Sequence, residues 1–446
     1  MPYSQITQAT ALAQLSLLLD DVNNSYWTTD ELTRYIYEAL RTWSSYTAYY
    51  RNRYSLNVTA NTPFYDLTAS GIVSSDPLVF TSLDSDLMKQ IEYSLLEPPN
   101  TSSTWAGTSQ FDYNSIVNAM QARRDKFLLD SGMFLTRQLV TTSSGRTTLS
   151  NTMLDVRRVA WKDSISGITT ALWKEDQWTI DNYDRTYNQN PGLPQVYSVY
   201  PTPQLLIDVS PPPSNTGTLD VITVNSGAAL NPPSGVLLGI PDDFTWVLRF
   251  GALADLLSSE GERFDPQRAQ YCESRYKEGC ELARVYTSIT SAQISASPAQ
   301  VISLFDQDTY KSTWQNPSTA YFNNGPTPDV ISAGYNLASV YPLSTTTSSL
   351  TLDLIIPAPV TSAYIQVSNS EYDAIIQYAR HLAVFKCGGE EFADSISAYQ
   401  NLVSQAMLYN ARVKANARFL KVLKRSLEND MERPRLIEQK EKEAAA

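Results

Sequence analysis

The chain has 446 residues, with 46 acidic side chains against 34 basic ones, which gives a formal net charge of −12. This length predicts roughly two to four domains. The acidic balance argues against a protein that reads nucleic-acid sequence, because such proteins present a basic face to the phosphates. The sequence contains no apolar run of about 18 residues and no recognisable secretion signal, so we expect no association with a membrane.

The residue types on which most catalytic and metal sites depend are scarce. Three cysteines (Cys272, Cys280 and Cys387) are too few for a disulfide framework and are typical of a chain made in a reducing cytoplasm. His381 is the single histidine, and its helical context predicts a packing role. Phosphate-binding loops, dinucleotide fingerprints and nucleophile elbows are missing from the sequence. We therefore expect no enzyme, and no catalytic, cofactor or metal site.

Helical patterns dominate residues 1–133, beginning with two capped helices. Ser4 is positioned to cap a first helix that ends near Leu19. Thr28 and Glu31 have the spacing of a capping box at the start of a second helix, whose apolar residues recur every three or four positions.

Two short strands and two further helices complete this region. Alternating residues at 54–58 and 64–67 predict a strand pair around a turn at 61–63. A third helix is expected from 84 or 85 to 95, and a fourth from 112, with Gly132 as the residue that ends it.

From residue 134 to about 241 the pattern changes to strands and turns. A hairpin is predicted from 154–161 and 168–173, and period-two alternation predicts further strands at 196–200, 204–209 and 218–224. The prolines at 211–213 lie between the last two strands, so they should interrupt pairing there.

Two later segments repeat each other at a constant offset of 128 residues. Residues 246–285 and 374–413 share seven identities over 40 aligned positions, including Tyr271 with Tyr399. Each segment predicts two helices, with the second helix starting behind Asp265 in the first copy and behind Asp394 in the second. A β segment precedes each copy, so the sequence predicts a duplicated β-plus-helix-hairpin module.

The C-terminal part differs in charge from the rest of the chain. Residues 390–433 contain no Gly or Pro and predict one long helix. Residues 412–446 hold 10 basic and 6 acidic side chains, a net charge of +4 on an otherwise acidic chain. Such a segment has too little apolar surface to form a core, so it is either solvated or bound to a partner.

These patterns together predict an α+β fold. An N-terminal helical bundle with a short strand pair (1–133) is followed by a first β/helix-hairpin module (134–290) and a second one (291–425). A charged docking tail (426–446) follows the long C-terminal helix.

Two stretches resemble the head-to-tail adaptor (neck or connector) proteins of tailed bacteriophages. The first is Tyr26-Trp27-Thr28-Thr29-Asp30-Glu31-Leu32-x-x-Tyr35-Ile36-x-Glu38-Ala39-Leu40. The second runs from Trp178 to Pro213 and includes Pro191-Gly192-x-Pro194-x-x-Tyr197. Familiar adaptors are much shorter and lack the duplicated module.

The resemblance implies a structural virion protein in the neck or tail of a phage, synthesised in the host cytoplasm. Such proteins form a homo-oligomeric ring of about 12 copies between portal and tail or nozzle proteins. DNA passes through the ring without specific binding. The C-terminal segment of each subunit inserts into the portal. The residues that match this segment here are Lys421, Lys424, Arg425, Met431, Arg433, Arg435 and Leu436.

Other assignments remain open from the residues alone. The chain could occupy a stopper or tail-hub position instead of the adaptor position. Trp161, Trp173 and Trp178 could form a platform for sugars in a receptor- or carbohydrate-binding tail protein. A hydrolase that uses carboxylates alone is a further alternative, and Asp84 with Asp86 is one candidate pair, although acidic residues are common at helix starts.

Overall fold

The computed structural model describes most of the chain. The described residues are 6–60, 62–72, 79–80, 86–96, 111, 113–167, 169–183, 189–201, 204–226, 229–230, 236–237, 240–259, 264–286, 289–294, 301–302, 304–305, 329–332, 335–341, 347–413 and 417–428.

The chain has an α+β fold, in which helices and small sheets share the chain. The helices are α1 (Gln8–Leu18), α2 (Thr29–Thr47), α3 (Asp86–Ser94), α4 (Tyr113–Ser131), α5 (Gln177–Tyr183), α6 (Thr245–Leu257), α7 (Pro266–Val285), α8 (Asn369–Val384) and α9 (Gly389–Arg412). A further helical segment at 417–428 is called the C-terminal helix below.

The strands are short and many. They are β1 (Ile6–Thr7), β2 (Arg51–Val58), β3 (Phe64–Asp66), β4 (Val79–Phe80), β5 (Leu135–Thr142), β6 (Arg146–Thr148), β7 (Met153–Asp163), β8 (Thr169–Ala171), β9 (Trp173–Lys174), β10 (Val196–Pro201), β11 (Leu205–Ser210), β12 (Gly217–Asn225), β13 (Val236–Leu237), β14 (Ile289–Ile294), β15 (Val301–Ile302), β16 (Leu304–Phe305), β17 (Asp329–Ser332), β18 (Leu337–Tyr341), β19 (Ser348–Ile355) and β20 (Tyr364–Ile365). The predicted hairpin around 163–167 is confirmed, since β7 pairs with β8.

Four of the sheets form two matching pairs. The sheet β5-β12-β7-β8 has the same strand order as β2-β19-β14-β15, and the sheet β6-β11-β10-β9 has the same order as β3-β18-β17-β16. Even the parallel strand pairing is at the same place in each set, between β9 and β10 and between β16 and β17. Two copies of one β architecture are therefore present.

The helices before and after these sheets repeat in the same order. α2 and α4 both have 19 residues, and both end at a residue with positive φ, Ala48 (φ 47°) and Gly132 (φ 59°). The N–H of Gly132 also donates to the carbonyl of Leu128, as predicted for a helix-ending glycine. The hairpins α6–α7 and α8–α9 follow the two β regions.

The repeated element is therefore larger than a β region with a hairpin, and one copy lies inside the other. The inserted unit comprises α3, α4, β5–β12, α6 and α7. The split unit comprises α1, α2, β2 and β3 before the insertion, and β14–β19, α8 and α9 after it. This arrangement corrects the predicted strand pair in residues 54–67: β2 and β3 do not pair with each other, but with β19 and β18 near the end of the chain.

The helix ends differ from several predictions. α1 begins at Gln8, because Thr7 is its cap and accepts a hydrogen bond from the N–H of Thr10, while Ser4 lies outside the described residues. α9 begins at Gly389 rather than behind Asp394. The single long C-terminal helix is also wrong: α9 ends at Arg412, where Val413 has an extended backbone, and the helical segment at 417–428 is separate from it.

One of the two hydrogen bonds of the capping box predicted at the start of α2 is confirmed. The hydroxyl of Thr28 accepts from the N–H of Glu31. The carboxylate of Glu31 turns inward instead of back to Thr28, where it accepts hydrogen bonds from Lys386 at 3.0 Å and from Tyr35 at 3.0 Å. The start of α2 is thereby tied to the end of α8.

The apolar side chains form two clusters. One runs continuously through α1–α4, the two helix hairpins and the strands of the split unit. The other fills the space between the two sheets of the inserted unit, where Trp161 and Val159 pack with Tyr197 and Ile207. The proline break is also confirmed, because β11 and β12 lie in different sheets.

Candidate interaction surfaces

The C-terminal helix lies on the body through one apolar side. Phe419 and Leu423 are buried, and the ring of Phe419 meets that of Tyr286 edge-on with 6.3 Å between centroids. Lys421, Lys424 and Arg425 lie on its exposed side. The C-terminal helix is therefore amphipathic, with its apolar side on the body next to the end of α7.

Only three of the seven predicted portal-docking residues are among the described residues. Lys421, Lys424 and Arg425 share the exposed side of the C-terminal helix, whereas Met431, Arg433, Arg435 and Leu436 lie outside the described residues. Arg425 also forms an ion pair with Glu281 of α7, and this hydrogen bond raises the pKa of the guanidinium. Because both partners are well exposed, the pair adds little stability.

A buried ion pair joins the two units. Glu38 of α2 and Arg249 of α6 are both almost fully buried, with 2.5 Å between Oε2 and Nη1. Burial opposes the charge of Arg249, but the carboxylate of Glu38 together with Tyr35 and Tyr378 raises the pKa of the guanidinium overall. Breaking such a pair from one side leaves an uncompensated charge, so it fixes how α6 sits on α2.

A second buried cation holds the hairpins together. Arg275 of α7 forms an ion pair with Glu278 and donates a hydrogen bond to the hydroxyl of Tyr46 in α2. Its guanidinium carbon lies 4.2 Å from the ring centroid of Tyr399 in α9, and the hydroxyl of Tyr399 donates to Glu278 at 2.9 Å. Tyr271 and Tyr399, which are equivalent in the repeat, also meet edge-on. The repeated residues thus form part of the contact between the two hairpins.

His381 is built into this packing. Both ring nitrogens have partners, the hydroxyl of Tyr271 at 2.7 Å and that of Ser395 at 2.7 Å. Burial, followed by the nearby positive charges of Arg275 and Arg249, lowers its pKa to about 3. The ring is therefore neutral over the physiological range and holds α8 against α7 and α9. A small polar cleft between α8 and α9 lies beside it, lined in part by Arg380 and Asp394.

One buried carboxyl group is poised to titrate near neutrality. Asp243, in the 3-10 turn Asp242–Phe244, accepts hydrogen bonds from the hydroxyl of Ser44 at 2.7 Å and the N–H of Ala358 at 3.0 Å. Complete burial raises the pKa of this carboxyl group to about 7, although the two hydrogen bonds act in the opposite direction. The hydrogen bond from Ser44 links α2 of the split unit to the turn that precedes α6 in the inserted unit.

The three candidate tryptophans are not on one surface. Trp161 is 1% exposed and lies inside the sandwich of the inserted unit, so it cannot contact a sugar. Trp173 on β9 and Trp178 on α5 are 48% and 77% exposed. The predicted platform of three tryptophans is therefore wrong, and of the three only Trp173 and Trp178 are exposed.

The described residues do not bring together the carboxylate pair that was the candidate for a hydrolase site. Asp84 lies outside the described residues, and Asp86 is the first residue of α3. Within the part of the chain that the structure describes, no group of three or more His, Cys, Asp or Glu side chains could hold a metal ion. None of the described helices is both long and apolar enough to cross a membrane.

Comparison of the sequence with models of known protein families gave no match, and comparison with curated proteins gave none either. A functional assignment must therefore be argued from this chain's own residues. Sequence reasoning did not identify the exposed sides of α1 and α4 as candidate surfaces, because their significance depends on which helices correspond between the two units.

Proposed function

We propose that the chain is a non-enzymatic structural subunit of a tailed-phage virion, a head-to-tail adaptor that assembles into a ring of about 12 copies between portal and tail. DNA would pass through the ring, and the charged tail of each subunit would bind the portal. The proposal starts from the resemblance of residues 26–40 and 178–213 to such adaptors.

The observation that carries the proposal is the C-terminal helix. Phe419 and Leu423 attach it to the body, so its direction is fixed up to residue 428. Lys421, Lys424 and Arg425 are then presented outward immediately before the charged tail. A helix that is already held on the body loses no further conformational entropy when a partner binds, so less is lost on binding.

The charge distribution suits a channel as well. Outside residues 412–446 the chain carries 40 acidic and 24 basic side chains. Neutralising phosphates with Lys and Arg releases counterions and adds affinity, so a conduit for moving DNA benefits from an acidic body. An excess of basic over acidic side chains is found instead in residues 412–446, where a protein partner is expected.

The test is attachment to portal-bearing heads. We expect deletion of residues 429–446, the part of the tail that follows the C-terminal helix, to abolish co-sedimentation with such heads while leaving the far-ultraviolet spectrum and melting temperature unchanged. Replacing Lys421 and Lys424 by Glu should weaken attachment without removing any residue. Lys162→Glu is the matched control, because Lys162 is an exposed lysine on β7 of the inserted unit.

Two outcomes would contradict the proposal. One is a tail deletion that binds heads as strongly as the parent chain. The other is equal loss of binding in the Lys162 control and the double Lys variant, which would indicate non-specific attraction to the heads.

A second candidate function is binding of surface carbohydrate through the inserted unit. The high exposure of Trp173 and Trp178 favours it, since exposed aromatic rings stack on sugars. Glycan-array binding that is lost in Trp178→Ala and kept in Leu193→Ala, another exposed apolar position, would support this function over the adaptor.

A further inference from the structure

The two units meet through a junction between α2 and α3. The hydroxyl of Tyr93 in α3 donates to Asp30 of α2 at 3.1 Å. The side-chain amide of Gln90 in α3 donates to the backbone carbonyl of Arg34 in α2 at 3.5 Å. These contacts, with the buried Glu38 pair, pack α3 and α6 of the inserted unit against α2.

Each of these helices has a counterpart in the other unit. α4 corresponds to α2 with an offset of 84 residues, because the positive-φ residues Ala48 and Gly132 end them at the same point. α1 corresponds to α3 with an offset of 76, because Asp20 and Leu96 have positive φ two residues after each helix. The residues of the junction can therefore be traced onto α1 and α4.

The traced positions on α4 are exposed. Glu38 and Ser45 are buried on α2 where the inserted unit covers it. Their counterparts on α4 are Ala122, which is exposed, and Leu129, which is 41% exposed. Asp30 corresponds to Asn114, also exposed.

The traced positions on α1 are exposed as well. Gln90 corresponds to Gln14, an identical residue that lies at the surface. Tyr93 corresponds to Leu17, which is 68% exposed although it is apolar. Both halves of the internal junction thus recur at the surface, one on each unit.

We propose that α1 of one copy docks on the outer side of α4 of a second copy, in the arrangement that α3 adopts on α2 within the chain. Gln14 and Leu17 of one copy would face Asn118 and Asn114 of the next. This contact joins two different surfaces of the subunit, so the interface is heterologous. Repeating it from copy to copy leads to a closed ring or an open filament. It names the interface for the ring proposed above and rests on that proposal.

Cross-linking of single-cysteine variants tests this pairing. Leu17→Cys and Asn114→Cys are each made in a Cys387→Ser background, because Cys272 and Cys280 are buried. With a short bismaleimide, we expect dimers only when the two variants are mixed, and a ladder of higher oligomers from the double variant. Ile165→Cys, exposed on a turn of the inserted unit, replaces Leu17→Cys as the matched control and should give no dimer.

Solution mass measurements give an independent readout. We expect Leu17→Glu to raise the concentration for self-association at least about tenfold with an unchanged melting temperature. Adding Asn114→Lys to the same chain should restore association, since each introduced lysine then faces an introduced glutamate of the neighbouring copy.

Three results would overturn the inference. They are dimers from either single-cysteine variant alone, no ladder from the double variant at any concentration, and self-association unaffected by Leu17→Glu. Portal attachment through the tail is measured separately on the same variants. Intact attachment with no α1–α4 cross-link would refute this interface alone, whereas a tail deletion that still binds heads would contradict only the adaptor function.

Discussion

Replacing Asp243 by Asn should remove a pH dependence of stability that the parent chain carries. The burial of Asp243 raises its pKa to about 7, compared with ~3.9 for an unperturbed aspartate. The folded chain therefore binds this proton more tightly than the unfolded chain does. The stability that this provides is complete below pH ~4 and is lost as the pH rises through about 7.

The size of the effect follows from that difference in pKa. Each pKa unit is worth ~1.4 kcal/mol, so full ionisation costs the folded state about 4 kcal/mol, of which about 2.5 kcal/mol falls between pH 5 and pH 8. The side-chain amide in the Asp243→Asn variant would remain neutral throughout. Its oxygen can still accept a hydrogen bond from the N–H of Ala358, which Asp243 accepts at 3.0 Å.

Guanidinium unfolding at pH 5 and pH 8 measures the difference. We expect Asp243→Asn to gain about 2.5 kcal/mol relative to the parent chain over this range. Asp181→Asn, at an exposed aspartate on α5, serves as the control and should follow the parent profile. Parallel pH profiles for the parent chain and Asp243→Asn would refute the argument that this buried carboxyl group titrates near neutrality.

Other substitutions address the junctions between helices. Glu38→Ala should lower the free energy of unfolding by about 3–5 kcal/mol in guanidinium titrations, because it leaves Arg249 buried without its carboxylate. Gly279→Ala should cost about 1–3 kcal/mol by calorimetry, since its Cβ would lie 2.3 Å from a methyl carbon of Val247. Phe419→Ala should speed tryptic cleavage within 417–428 at least about tenfold, and a rate equal to that of the parent would contradict docking of the C-terminal helix.

The sequence predicted local features well, because their signals lie within a few residues. The Thr28 cap, the end of α4 at Gly132 and the proline break after β11 all follow from backbone chemistry at those positions. The hairpin repeat was found because Tyr271 and Tyr399 share an unbroken offset. These features required no knowledge of distant contacts.

The larger repeat was not predicted, because its evidence is in pairing partners rather than residue identities. β2 resembles a hairpin strand next to β3, yet it pairs with β19, which lies about 300 residues later and on the far side of the inserted unit. The helix offset also changes from 84 for α2 and α4 to 128 for the hairpins, so no single alignment covers the chain. The C-terminal break after Arg412 likewise carries no Gly or Pro signal.

The chemistry of the internal junction and of the proposed α1–α4 contact explains how such a chain could fold before it assembles. The internal junction contains the Glu38–Arg249 pair, in which either charge would be destabilising if it were buried without the other. At the corresponding surface positions the chain places Ala122 and Gln377, which carry no charge. A free subunit therefore leaves no unpaired ion at these positions, and burying them against a neighbour requires no ion to be desolvated. The same helix contact can thus be permanent inside the chain and reversible between copies.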